Sequence, residues 1–286
     1  MLTAYDLQDP TESLGVSLGL IDRWVTPGGG IAAEFHRCAD GFLIVFPRQA
    51  EFHISLSPMA ARARALVADA PLDTLFRNAI LPLLGNYSGG LALHGSAVAT
   101  PWGAIAFMGL SRRGKTTLAG AFAKAGHPLL SEDCVALELR GGDYLVQPQG
   151  PYLRLFADSA AHLLGETSGH AGGNAKVDIT GVSELPVASE PAPLRAIFLL
   201  GDGASPDVQV APLGAAAALA NLMPNAFVLD VEDKERLRGH FGRLASLSEA
   251  VPCHALDYPR RYEHLPQVIA AVCRTIEQMD RADETE

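Results

Sequence analysis

Over the first 57 residues apolar positions fall in short runs, "GFLIVF" at 41–46 and "EFHISL" at 51–56, divided by turn formers such as "TPGGG" at 26–30. Runs of that length bounded by Gly and Pro predict short β-strands. From Pro58 to Leu84 the pattern changes. "MAARARALVADAPLDTLFRNAILPLL" carries apolar residues at helical spacing with an interruption near Pro71, which predicts two helices. "GNYSGG" at 85–90 is a turn, and beyond it strand-like runs alternate with Ala-rich segments, the order of an α/β domain. The pattern therefore divides a small α+β region, residues 1–90, from an α/β domain, residues 91–286.

Within the second region "GAIAFMG" reads as a strand, "TTLAGAFAKAG" as a helix closed by Gly126, and "RAIFLL" at 195–200 as a further strand. "HPLLSEDCVALEL" reads as an apolar strand interrupted by Glu132 and Asp133. Neighbouring side chains of a strand point to opposite faces, so these two carboxylates are expected to do different jobs. "APLGAAAALANLM" at 211–223 and "DVEDKERLRGHFGRLASL" at 230–247 read as helices, the second amphipathic with a solvated charged face. "GETSGHAGGNAK" at 165–176 has no periodicity and is a candidate lid.

Composition narrows the function classes. The chain has 286 residues, 48% of them hydrophobic, enough for a sizeable core. A formal net charge of -10 argues against general affinity for nucleic acid or anionic membrane, leaving a peptide, protein or small molecule as the expected partner. No apolar run approaches the roughly 20 residues of a membrane span, and the N-terminus lacks the basic-then-apolar order of a secretory signal. A cytoplasmic location is the expectation. Cys38, Cys134, Cys253 and Cys273 are scattered, and the histidines lack ligand spacing, so neither a disulfide framework nor a transition-metal site is expected.

The strongest motif is "GLSRRGKT", which satisfies G-x-x-x-x-G-K-[ST] between a predicted strand and a predicted helix. Backbone N–H groups at such a helix start, aided by the helix dipole, cradle phosphate oxygens. Gly109, Leu110, Ser111, Arg112, Arg113, Gly114, Lys115, Thr116 and Thr117 are the expected nucleotide contacts. Lys115 would bridge the outer phosphates and Thr116 would place its hydroxyl on magnesium. Arg112 and Arg113 are unusual here, and solvated surface charges are weighed evenly against a role on phosphate or substrate. "RAIFLLGD" also resembles a Walker B strand ending at Asp202, although a structural strand entering a turn is the simpler reading.

"LHGSAV", then "MGLSRRGKTTLAGAFAKAGHPLLSEDCVAL", then "GPYLRLFADS" resemble the kinase domain of the HPr kinase/phosphorylase family. The resemblance is greatest to the HPr-kinase-like serine kinases that accompany lasso peptide biosynthesis. It covers roughly residues 90–160 and continues more weakly from "PLRAIFLL" at 193–200 to "ALDYPR" at 255–260. It implies an α/β, P-loop-containing kinase domain of the HPr kinase C-terminal type, preceded by a small α+β N-terminal region. ATP and Mg2+ as cofactors, and assembly into oligomers, are also implied.

Residue by residue, the family's histidine falls on His94 and its loop lysine and hydroxyl on Lys115 and Thr116. Its acidic pair falls on Glu132, resembling the catalytic base, and Asp133, resembling a magnesium-linked or lysine-paired carboxylate. Arg154, and beyond the Gly-rich stretch Lys176, would lie near the transferring phosphate or substrate. Three departures matter. Arg112 stands where the family has glycine, Glu132 stands where it has Asp, and its C-terminal glycine- and arginine-containing segment is missing, which argues against HPr as substrate and against the phosphorylase reaction. The expected activity is ATP-dependent transfer to a serine hydroxyl of a peptide or small protein, with a lasso-type precursor the preferred acceptor. A catalytically impaired nucleotide-binding regulator, a P-loop ATPase using Asp202, and a small-molecule kinase stay open.

Overall fold

A computed structural model describes residues 3–9, 11–26, 28–150, 153–165, 176–178 and 185–283. The chain forms two compact units. The first holds residues 1–90 together with 227–240, and the second holds 91–226 and 241–286.

The first unit is built on a six-stranded sheet in the order β1-β6-β5-β4-β3-β2. Its strands are β1 (Asp6–Leu7), β2 (Gly19–Val25), β3 (Ile31–Arg37), β4 (Gly41–Phe46), β5 (Ala50–Leu56) and β6 (Met59–Ala65). All neighbours are antiparallel except β1 and β6. Strand β6 corrects the first of the two helices expected after Pro58. "MAARARA" also alternates with period two: Ala61 and Ala63 are buried while Arg62 lies exposed between them, and Arg64 pairs with Glu51 on β5 at 2.5 Å. Tertiary pairing outweighs the helix propensity of Ala and Arg. The second expected helix is present as α1 (Leu72–Leu75), a π-turn (Phe76–Ile80) and α2 (Leu81–Tyr87). Phe76 packs on Phe52 with ring centroids 6.3 Å apart, and Phe46 meets Phe52 edge-on at 5.9 Å.

Residues 227–240, which the sequence pattern assigned to the second region, belong to the first unit and are tied to it by side-chain contacts. Asn86 Nδ2 donates to the Phe227 carbonyl at 3.0 Å, Trp24 meets the Phe227 ring at 6.2 Å, and Arg37 grips the buried Asp230 carboxylate with two hydrogen bonds of 2.8 Å. Burial pushes the Asp230 carboxyl up. Arg37 and the backbone N–H groups of Glu232 and Asp233 outweigh it and hold the group below its usual range. The stability this supplies is therefore full above about pH 3.9, the unfolded value, and is lost as pH falls through the lower folded value. Arg37→Ala is expected to cost about 2 kcal/mol in urea unfolding at pH 7, less than a fully buried pair because the guanidinium is partly solvated. That deficit should shrink when unfolding is repeated near pH 2.

In the second unit nine strands form one sheet, with a core path β10-β8-β9-β15-β12-β11-β7 and β17 pairing both β15 and β16. The strands are β7 (Leu91–Leu93), β8 (Gly95–Thr100), β9 (Gly103–Met108), β10 (Leu129–Ser131), β11 (Val135–Arg140), β12 (Asp143–Val146), β15 (Ala192–Leu200), β16 (Gln209–Leu213) and β17 (Cys253–Asp257). A separate short pair joins β13 (Arg154–Phe156) to β14 (Lys176–Asp178). Among the described residues, five α-helices belong wholly or partly to this unit: α3 (Lys115–Lys124), α4 (Ala157–Leu164), α5 (Ala215–Leu222), α6 (Lys234–Ala250) and α7 (Leu265–Asp283).

Both faces of the central strands are covered, which explains their near-continuous apolar sequences. On β9, Ile105 and Phe107 pack with Leu118 and Phe122 of α3, Leu163 of α4 and Val268 of α7, while Ala104, Ala106 and Met108 meet Leu222 of α5 and Leu247 of α6. Strands β9, β15 and β17 run parallel, so the segments that follow them emerge at one edge of the sheet. No helix among the described residues is long and apolar enough to cross a membrane.

Candidate active site

The loop after β9 reaches α3 through Gly109 at φ 139° and Gly114 at φ 90°. A Cβ on Gly109 would lie 3.0 Å from the Leu200 carbonyl oxygen, so glycine is required where the loop leaves the sheet. Arg112 has φ 66°, a left-handed conformation that costs a non-glycine residue about 1 kcal/mol. Lys115 is buried, and its Nζ donates to the carbonyls of Gly109 and Leu110 at 2.8 and 3.3 Å. Asn225 fixes the loop entrance from the side: its Oδ1 accepts the Gly109 N–H at 3.2 Å and its carbonyl accepts the His94 N–H at 2.7 Å.

The expected single strand carrying the two acids is in fact two. β10 ends at Ser131, β11 starts at Val135, and the chain turns between them with Asp133 at φ 61°. The break separates the carboxylates as the alternation argument required, though by a different route. Glu132 is almost wholly buried, and its Oε1 accepts the Thr116 hydroxyl at 2.7 Å. Asp133 borders the cleft instead, with Oδ2 lying 3.8 Å from Arg154 Nη1. His94 sits at the break between β7 and β8. Its Nδ1 donates to the Asp133 carbonyl at 2.8 Å, so in the neutral ring Nε2 carries the lone pair.

A cleft of about 630 Å³, within the usual size of a small-ligand site, lies beside the loop. Of the expected site residues, His94, Ser111, Arg112, Gly114, Lys115, Thr116, Thr117, Asp133 and Arg154 line it. Gly109, Leu110, Arg113 and Glu132 do not, although Glu132 reaches it through Thr116. Arg113 turns toward Asp202, with Nη1 and Oδ2 3.9 Å apart. Asp202 is mostly exposed and outside the cleft lining, a position that does not suit the magnesium-binding acid of a Walker B strand. Lys176 is described only by its backbone pairing opposite Phe156, and residues 166–175 of the candidate lid lie outside the described residues.

The opposite wall was not anticipated. Asp158 and Ser159 at the start of α4, with Tyr258, Arg260 and Tyr262 after β17, complete the cleft. Asp257 organises that segment by accepting the N–H groups of Gly203 and Ser205 at 2.7 and 3.0 Å, and Arg260 stacks 4.0 Å over the Tyr258 ring. The signal was present in "DYPRRYEH", two tyrosines and two arginines within five residues after a strand, yet "ALDYPR" entered only as part of the resemblance.

Among the described residues no cluster of three or more His, Cys, Asp or Glu side chains is arranged to hold a metal. The oxygen-only pair of Thr116 and Glu132 fits magnesium, which takes few protein ligands and keeps water and phosphate in the remainder of its shell.

No protein-family model matches the sequence, and no curated protein matches it. Among solved structures, the Hpr(Ser) kinase/phosphatase from Coxiella burnetii is similar at 14% identity over 68% of this chain and 95% of that chain, with a TM-score of 0.37. At that identity and score the functional reading rests on the site's own geometry.

Proposed function

We propose that this chain is an ATP-dependent kinase that transfers a phosphoryl group to a serine hydroxyl of a peptide or small protein. The observation that carries the reading is the convergence on one cleft of a phosphate loop, a Thr116 hydroxyl bonded to Glu132, and a second acid, Asp133, flanked by His94 and Arg154. A nucleotide-binding site alone needs no second acid. A phosphoryl transfer does, because the acceptor hydroxyl must lose its proton as its oxygen attacks. A lasso-type precursor peptide is the favoured acceptor, on the resemblance of residues 90–160.

The geometry favours exchanging the two acids' expected roles. Glu132 fixes the Thr116 hydroxyl and so acts behind the magnesium position, while Asp133 is the base. The bond from the terminal phosphorus to its bridging oxygen breaks, the bond from serine Oγ to phosphorus forms, and the hydroxyl proton passes to the Asp133 carboxylate. Bound magnesium supplies charge neutralisation on the outer phosphates. Lys115 adds a fixed positive charge, and Arg154, beside Asp133, orients that carboxylate.

The test is intact-mass spectrometry of precursor peptides incubated with the protein, ATP and magnesium. The expected result is a gain of one phosphoryl mass; ATP binding with no gain on any peptide would overturn the kinase reading in favour of a nucleotide-binding regulator, which the strained Arg112 in the loop also fits. Glu132→Gln in the same assay is expected to raise the magnesium concentration needed for half-maximal transfer about 10–100-fold, with the plateau largely recovered at high magnesium. Loss at every magnesium concentration would instead make Glu132 the base.

A further inference from the structure

Resting on the nucleotide-binding reading, we propose that Tyr262 is the stacking platform for the nucleobase. Three features of the cleft carry this. The first is a fixed ring: His162 stacks on Tyr262 with centroids 4.3 Å apart and planes 15° from parallel. Tyr262 borders the cleft and His162 does not, so His162 backs the ring and leaves its cleft side to a ligand. The ring is held in place, because its hydroxyl is fixed at 2.9 Å by the Asp158 carboxylate and at 3.0 Å by Ser159 while the stacked His162 sets its plane.

The second feature is the link to the phosphate loop. Asp158 accepts the Tyr262 proton, so the phenol oxygen accepts from Ser159, and Ser159 in turn accepts from Thr117 at 3.1 Å. Thr117 follows Thr116 in the first turn of α3. The ring is thus linked through two hydrogen bonds to Thr117, beside the loop proposed to hold the phosphates. Leu163 of α4 fits against Gly120 of α3, where a Cβ would lie 2.8 Å from the leucine Cδ1, and this close approach sets Ser159 beside Thr117.

The third feature is the chemistry of the lining. Lys115, Asp133 and Arg154, with the polar His94 and Thr116, line the cleft with charged and hydrogen-bonding groups, whereas Phe156 and Leu265 accompany Tyr262 with apolar surface. A ligand with a polyanionic head and a flat aromatic end satisfies both. Asp158, beside the ring, offers a carboxylate to an exocyclic amine of the base.

Isothermal calorimetry with ATP and with inorganic tripolyphosphate separates the platform from the loop. Wild type should bind ATP more tightly than tripolyphosphate. Tyr262→Ala should weaken ATP roughly 5- to 150-fold and leave tripolyphosphate unchanged, which also shows that the variant's loop is intact. Tyr262→Phe should stay within about threefold of wild type for ATP, because stacking persists. Equal losses for the two ligands, unchanged ATP affinity, or lost peptide transfer at full ATP affinity would each overturn the platform. If wild type binds neither ligand, it is the nucleotide reading that fails.

Discussion

Asp133→Asn is expected to lower the rate of phosphoryl transfer about 10²–10⁴-fold while leaving ATP affinity within a few-fold of wild type. The substitution is close to isosteric, and asparagine tolerates the left-handed backbone that Asp133 adopts at φ 61°. The His94 Nδ1 hydrogen bond goes to the backbone carbonyl of residue 133, so that bond survives. What changes is the loss of a proton acceptor and of the negative charge 3.8 Å from Arg154. Single-turnover transfer to the precursor peptide, with ATP binding followed in parallel, is the measurement. Transfer within tenfold of wild type would remove Asp133 from the base role and return it to Glu132. The contrast with Glu132→Gln is informative because one variant should respond to magnesium and the other should not.

The strand–loop–helix unit around Gly109 to Thr116 was legible because its requirement is local. Glycines at 109 and 114, Lys115 and Thr116 act within one strand–turn–helix unit, and sequence spacing reports that unit directly. The placement of Glu132 and Asp133 was only half legible. Adjacent carboxylates announce different jobs, but the assignment depends on a chain break between β10 and β11 that splits one apolar run across two places in the sheet. The wall formed by Ser159 and Tyr262 was not legible, since it depends on the parallel placement of β17 beside β15 and on α4 closing against Gly120. Asn225 was lost for the same reason: an unremarkable residue in sequence, it becomes the support of both Gly109 and His94 through three-dimensional proximity. In the first unit the Ala-Arg alternation of β6 carried both a helical and a strand pattern, and only pairing with β5 decides between them.

Lys115→Ala is expected to abolish transfer, by at least about 100-fold, and unlike Asp133→Asn to weaken ATP and tripolyphosphate together. The lysine stem is buried and its ammonium already contacts two loop carbonyls, so the charge is held in place before a phosphate arrives and little reorganisation accompanies binding. Alanine removes that charge and two charge-assisted hydrogen bonds, but it also removes the desolvation cost of a buried cation, and these effects oppose one another in the folded protein. Thermal unfolding should therefore shift by no more than a few degrees even as binding is lost. Arginine is no substitute, because its planar fork cannot reproduce a compact ammonium donating to Gly109 and Leu110. Full transfer by Lys115→Ala would show that the loop does not hold the reacting phosphates, whatever Asp133 does. Loss of binding there, together with retained binding and lost chemistry in Asp133→Asn, would divide the cleft into a phosphate-holding side and a proton-accepting side.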